Sequence, residues 1–269
     1  MSETLTKMAT AQIDKLGNEL YRALRDRKMI EPLTSRFPDM TIEEAYAVSS
    51  KFLKHRLADG ETVIGKKIGV TSAAVQQMLN VHQPDFGYLT DAMVVEEGEV
   101  LSISTKMLQP RAEGEIAFVL KKDLIGPGVT ATDVICATDF VVPCFEIVDS
   151  RITDWQIKIQ DTVADNASCG YFLLGQNAVD PRKLDLSTCG MVLEMNGNVV
   201  STGAGAAALG SSPVTCVVWL ANTLSRLGTH LRAGDVVLSG SLVPLQPVKP
   251  GDYMSVSIGG IGRTAVRFD

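Results

Sequence analysis

Two glutamates spaced two apart lead into an unbroken apolar run in Gln109-Pro110-Arg111-Ala112-Glu113-Gly114-Glu115-Ile116-Ala117-Phe118-Val119-Leu120, and no other stretch limits the fold as much. The run from Ile116 to Leu120 reads as a buried strand. Extended backbone sends successive side chains to opposite faces, so Arg111, Glu113 and Glu115 share one face and Ala112 and Gly114 the other. Acids buried in a sheet are expensive unless they are paired. Whatever fold this chain adopts must therefore bring a cation to that strand.

The surrounding sequence predicts where the strand sits. Ile13, Leu16, Leu20 and Leu24 recur at three and four residues, as on one face of a helix from about Thr10 to Lys28. Thr41 with Glu44 forms a capping box, and a second helix continues through Val48, Phe52 and Leu57 to the Asp59-Gly60 stop. From Val63 onward the chain changes to short β-rich runs broken by glycine and proline. Met191 to Met195, the Asn196-Gly197 turn and Asn198 to Ser201 predict a hairpin. Met254, Val256 and Ile258 alternate with serines as in a half-buried antiparallel strand, and Thr264, Val266 and Phe268 predict another. One helix interrupts this region, on Val217, Leu220, Ala221, Leu224 and Leu227, closed by Gly228. Strands that come in runs predict an α+β fold. Its parts are a helical N-terminal portion over 1–62 and a β-rich core over 63–269, mixed but mostly antiparallel. There is no internal repeat and no low-complexity linker.

Composition narrows the functional classes. A chain of 269 residues, 45% apolar, can bury a sizeable core. Its net charge of −6 offers no electrostatic footprint for nucleic acid or an anionic membrane, so a small molecule or a protein is the expected partner. The five cysteines are scattered without CxxC pairs, which points away from a disulfide framework or a zinc site and toward a reducing, cytoplasmic compartment. Met1 to Lys15 lacks the apolar core of a signal peptide, and no apolar run approaches the ~20 residues of a membrane span.

Several groups could carry chemistry. Glu146 lies inside the apolar run Val141 to Val148, where a lone carboxylate costs several kcal/mol. If it joins Glu113 and Glu115, three carboxylates would need a hard divalent ion, Mg²⁺ or Mn²⁺ in preference to zinc. The competing reading pairs Glu113 with Arg111 and leaves Glu146 at a wet strand edge. Lys66 and Lys67 occupy a glycine-bounded strand: one faces inward if the strand is half-buried, unless both snorkel to water. Val81 to Tyr88 is turn-rich and carries Asp85, a functional acid or a turn former. Asp161 to Gly170 is dense in small polar residues, including Ser168, and reads as a carboxylate-binding loop or a surface loop. Cys169 has no histidine nearby in sequence to activate it. Gly203 to Gly210 fails the GxGxxG spacing, which disfavours nucleotide binding.

These motifs together, Glu113-Gly114-Glu115 with Glu146, Gly65-Lys66-Lys67-Ile68-Gly69, Gln83-Pro84-Asp85-Phe86-Gly87 and Asp161 through Ser168, resemble the hydratase/decarboxylase branch of the fumarylacetoacetate hydrolase superfamily over essentially the whole chain. The resemblance implies that family's fold. It implies that Glu113, Glu115 and Glu146 ligate Mg²⁺ or Mn²⁺, and that Lys67 and Asp85 are catalytic, with Lys66 pointing away. Ser168 and Ser241 fall where the superfamily positions substrate-facing loops. The implied reaction is hydration of 2-hydroxypenta-2,4-dienoate to 4-hydroxy-2-oxopentanoate in meta-cleavage aromatic catabolism. The alternatives are decarboxylation of 4-oxalocrotonate and a noncatalytic partner-subunit role. Asp85 favours hydration, because the sibling decarboxylases look apolar at the matching place and carry a Ser-Val before Ala-Asp-Asn where this chain has Asp161-Thr162-Val163. A homo-oligomer and a complex with 4-oxalocrotonate decarboxylase are also implied. Ser211-Ser212-Pro213, one residue longer than usual, and Thr215, in place of a common asparagine, depart from the pattern.

Overall fold

Three helices open the chain, in a computed structural model that describes residues 8–78 and 80–269. Positions 1–7, part of the Met1–Lys15 stretch discussed above, lie outside the described residues. Helix α1 (Thr10–Asp26) buries Ile13, Leu16, Leu20 and Ala23, and stops two residues short of the predicted Lys28 because Arg27 turns left-handed, at φ 49°. A single turn, α2 (Leu33–Arg36), leads to α3 (Ile42–Ala58). The predicted capping box opens α3: Glu44 N donates to Thr41 Oγ1 at 3.2 Å and Thr41 N donates to Glu44 Oε2 at 2.9 Å. These helices do not close their core alone. Leu16, Leu20, Leu33, Val48 and Phe52 pack against Ile152, Ile159, Val163 and Ala164 from much later in the chain.

The β-rich part runs β1 (Val63–Gly69), α4 (Ala73–Met78), β2 (Asp85–Thr90), β3 (Val94–Val95), β4 (Val100–Leu101), α5 (Ile103–Lys106) and β5 (Arg111–Leu120). It continues through α6 (Ala131–Ala137), β6 (Thr138–Val148), α7 (Ile159–Ala164), β7 (Cys169–Leu174), β8 (Gly190–Met195), β9 (Asn198–Ala204) and α8 (Pro213–Arg226). The last strands are β10 (Val236–Leu238), β11 (Gln246–Pro247), β12 (Tyr253–Ile258) and β13 (Gly262–Phe268). Among the described residues, eight strands form a curled sheet ordered β2-β1-β10-β5-β6-β7-β3 with β11 on β5, and five form a second sheet, β4-β13-β12-β8-β9. The β1/β10, β3/β7 and β4/β13 pairs are parallel, and the other pairs are antiparallel. The architecture is α+β, as the runs of strands predict. The β8/β9 hairpin turns at Asn196 and Gly197, both left-handed at φ 52° and 81°.

The two faces of the large sheet have different tasks. Ile116, Phe118, Phe145 and Ile147 bury against Met191, Leu193, Met254 and Val256 of the smaller sheet. Gly114 belongs to this face: a Cβ there would lie 2.9 Å from Val256 Cγ2, so the sheets meet where the glutamate strand carries no side chain. The opposite face carries a smaller apolar set, Leu89, Ala117, Val142, Cys144, Phe172 and Leu238, and every charged group of the candidate site.

The Asp161–Gly170 segment corrects the loop reading. It is a helix, α7, followed by a tight turn into β7, and its buried Asp161, Asp165 and Asn166 hold other parts of the chain, while Thr162 and Ser168 face each other. Thr34 N and Oγ1 donate to Asp161 at 2.9 and 2.7 Å. Arg151, 1% exposed, pairs through Nε with Asp165 Oδ1 at 2.5 Å, while its backbone N–H donates to Oδ2 at 2.9 Å. Replacing Arg151 with Met would leave Asp165 buried without its counter-charge, and denaturant melts should show a loss of about 3–5 kcal/mol.

Candidate metal and acid–base site

Strand register assembles the site. Glu113 pairs with Glu146 across β5/β6, and Glu115 lies two residues along the same face. Ala117, two further on, pairs with Leu238, which pairs with Lys67. Asp85 pairs with Gly69, two residues from Lys67. All five ionisable side chains therefore point from the same face of the curled sheet. Lys67 is 3% exposed, Asp85 2%, and Glu115 and Glu146 0%.

The three glutamates offer carboxylate oxygens that all lie within 4.8 Å of one another. At an effective dielectric of ~20, two unit charges 4.8 Å apart repel by about 3 kcal/mol, so three cannot coexist uncompensated. Burial, then Glu146, pushes Glu113 up to about 8, and burial with the same neighbours raises Glu115 well above the carboxylate range. Glu115 Oε1 and both Glu146 oxygens make no hydrogen bond, although Lys67 Nζ stands 3.1 Å from Glu146 Oε1. Buried acceptors without donors are rare and ask for an explanation. An all-oxygen donor set with orphaned lone pairs fits a hard divalent cation better than it fits zinc. Glu146 is thus no wet edge residue, and Arg111 stacks over Trp155 at 4.6 Å in place of the pairing with Glu113 considered above.

Lys67 and Asp85 occupy one end of the cluster. Burial alone would lower the Lys67 ammonium, but Glu146 and then Asp85 reverse this and hold it above the ordinary lysine range. Burial pushes Asp85 up to about 6, with Lys67 opposing. The two groups converge over Gly69, where a Cβ would collide with Asp85 Oδ1 and lie 3.2 Å from Lys67 Nζ. Neither Asp85 oxygen makes a hydrogen bond. A carboxyl raised from 3.8 to about 6 on folding binds more protons in the native state, so folding loses stability as pH rises through that window. Asp85→Asn should remove this loss. In chelator, its melting temperature should exceed that of the parent by a margin that grows from pH 4 to 6 and then levels, as calorimetry would measure.

The remaining expected residues fall at varying distances from this cluster. Lys66 points to the opposite face but is also buried, 3.5 Å from Asp235 and 5.8 Å from the Tyr88 ring centre. Neither lysine snorkels. The Ser168 hydroxyl lies 3.1 Å from that of Thr162, and Ser241 Oγ donates to Val243 O at 2.6 Å while standing close enough to Glu113 to favour its ionised form. Ser211 and Ser212 shape the start of α8, where Val214 N donates to Ser212 Oγ at 3.3 Å. Two contacts escaped sequence reasoning. Gly240 N donates to Glu115 Oε2 at 2.7 Å, and Cys169 reaches Glu146 with a thiol that burial and this carboxylate hold well above its usual range. A backbone amide leaves no mark in a sequence. A thiol raised in this way does not suit a nucleophile.

The sequence profile of the Fumarylacetoacetate (FAA) hydrolase C-terminal family matches residues 62–269. The chain is 68% identical over 216 residues to a 2-hydroxypent-2,4-dienoate hydratase of Pseudomonas putida, covering 80% of this chain and 97% of that one. It is 55% identical to a 2-hydroxyhexa-2,4-dienoate hydratase of Comamonas testosteroni, covering 95% and 97%. Among solved structures, 4-oxalocrotonate decarboxylase from Pseudomonas putida G7, complexed with magnesium and adipate, superposes with a TM-score of 0.95 at 37% identity, covering 98% of this chain and 100% of that one.

Proposed function

The chain belongs to the fumarylacetoacetate hydrolase family, and on that premise we propose that it is a metal-dependent hydratase converting 2-hydroxypenta-2,4-dienoate to 4-hydroxy-2-oxopentanoate. The observation that carries this reading is the buried Lys67–Asp85 pair set against three glutamates with unpartnered oxygens. Glu113, Glu115 and Glu146 would hold Mg²⁺ or Mn²⁺, which when bound supplies Lewis acidity at the substrate's 2-oxygen.

The chain's own groups account for the rest. Three glutamates, Asp85 and the substrate carboxylate outweigh a divalent ion, and the Lys67 ammonium offsets part of that excess. Hydration needs a proton delivered to C5 and a water directed to C4. Asp85, held near 6, is suited to exchange a proton near neutrality, and its two free oxygens can accept hydrogen bonds from the attacking water. Lys67 donates from beside it and keeps the pair's proton inventory coupled. Ser168 and Ser241 would face the substrate from the turn after α7 and the segment after β10.

The decarboxylase reading has the superposed magnesium–adipate structure in its favour, at 37% identity. It leaves Asp85 without a task, since expelling CO₂ calls for no attacking water. A noncatalytic subunit would have no use for five converging charged groups. We place the protein in the cytoplasm, which its five unpaired cysteines support, as a homo-oligomer able to associate with a 4-oxalocrotonate decarboxylase. The test is the decay of freshly generated dienol with Mg²⁺ or Mn²⁺ and after chelation, alongside CO₂ release from 2-oxo-3-hexenedioate. Chelator-sensitive dienol decay is expected. Release of CO₂ without dienol hydration would overturn the assignment.

A further inference from the structure

Asp85 opens β2, and β2 is one of the two edge strands of the large sheet. An edge strand turns alternate amides and carbonyls away from its neighbour and is held on one side only. Here the outer side is occupied by side chains from two other elements. Phe86 N donates to Tyr46 Oη at 3.3 Å, and Tyr46, on α3, stacks on the Phe86 ring with centroids 4.6 Å apart. Two residues along, Tyr88 N donates to Asn166 Oδ1 at 2.7 Å and Asn166 Nδ2 donates to Tyr88 O at 3.0 Å. Between them lies Gly87, where a Cβ would collide with Asn166 O.

Asn166 reaches β2 from an unusual backbone. Asn166, Ala167 and Ser168 are all left-handed, at φ 55°, 51° and 53°, a run that residues with a Cβ avoid and that persists only where the surroundings enforce it. The enforcement is visible: Arg151 ties down Asp165 immediately before the turn, and Asn166 is 3% exposed. Tyr46 accepts from Phe86 and donates to none of the described residues. Fixing the Phe86 amide fixes the peptide that it shares with Asp85.

We propose that Tyr46 and Asn166 are positioning residues that clamp the edge strand β2 and thereby keep the Asp85 carboxylate in place over Gly69, facing the same space as the Lys67 ammonium. The kinetic part of this proposal rests on the hydratase reading, while the clamp itself does not. Tyr46→Phe keeps the stacked ring and removes the acceptor, and Asn166→Ala removes the second grip. Hydrogen–deuterium exchange should quicken about tenfold across 85–90 in each variant and stay unchanged elsewhere. With the dienol as substrate, kcat should fall by about ten- to a hundredfold, the penalty typical of a misplaced catalytic group, while KM and Mn²⁺ affinity hold. In an Asp85→Ala background, Tyr46→Phe should cost no further activity. Unchanged exchange at β2, exchange that rises across the whole chain, or an equal loss of kcat without Asp85 would each overturn the clamp. A parent protein that does not hydrate the dienol would overturn the functional reading instead, and the exchange data would still decide the clamp.

Discussion

Replacing Glu115 with Gln is expected to lower metal-dependent turnover by about a thousandfold or more, the scale of removing a preorganised electrostatic group from a dry site. The substitution isolates charge from shape. Glu115 is wholly buried, one of its oxygens already accepts the Gly240 amide, and glutamine keeps that acceptor and the same volume. What disappears is one negative charge facing Glu113 and Glu146. A metal titration should show the loss directly. Mg²⁺ or Mn²⁺ at a hundred times its dissociation constant should stabilise the parent by about 2.7 kcal/mol, and the variant should gain far less at the same concentration. Full activity of the variant after metal stripping would sink the ligand assignment.

The second large effect is expected at Asp85. Asp85→Ala should lose hydration by about 10²- to 10⁴-fold, the usual contribution of a positioned acid or base. The glutamate cluster is untouched by this change, so Mn²⁺ and a chelating dianion such as oxalate should bind as in the parent. This split separates chemistry from binding: turnover falls while calorimetric affinity for oxalate stays. Loss of oxalate binding as well would make Asp85 a structural residue. The same variant, offered 2-oxo-3-hexenedioate, shows whether removing the acid leaves a decarboxylase behind.

The parts of this molecule that sequence could reveal are those governed by local rules. Period-two alternation put Glu113 and Glu115 on one face, and the structure has them there because β5 pairs on both sides. The Thr41–Glu44 box and the Asn196-Gly197 turn depend on residues within four positions, so both were legible. Asp161 to Ser168 was not, because small polar residues look the same on a surface and in a buried helix. What separates the two is Thr34 and Arg151, which the chain supplies from 127 and 14 residues away. Two adjacent buried lysines are equally opaque, since the partner of Lys66 is Asp235, 169 residues on. Tyr46 could be read only as part of an amphipathic helix; that its hydroxyl meets the Phe86 amide depends on how α3 packs against β2.

The shared core of the first helices sets an order of events during synthesis. Leu16, Leu20, Val48 and Phe52 leave the ribosome long before Ile152, Ile159, Val163 and Ala164, against which they close. At typical elongation rates of roughly 5–20 residues per second, that delay is on the order of ten seconds. Throughout it, the nascent helices can cover their apolar faces only in part, against one another. Completion of α7 therefore does two things at once: it ends that exposure, and it delivers the left-handed turn that grips β2. The burial of the first helices' apolar faces thus coincides with the step that sets the acid in place.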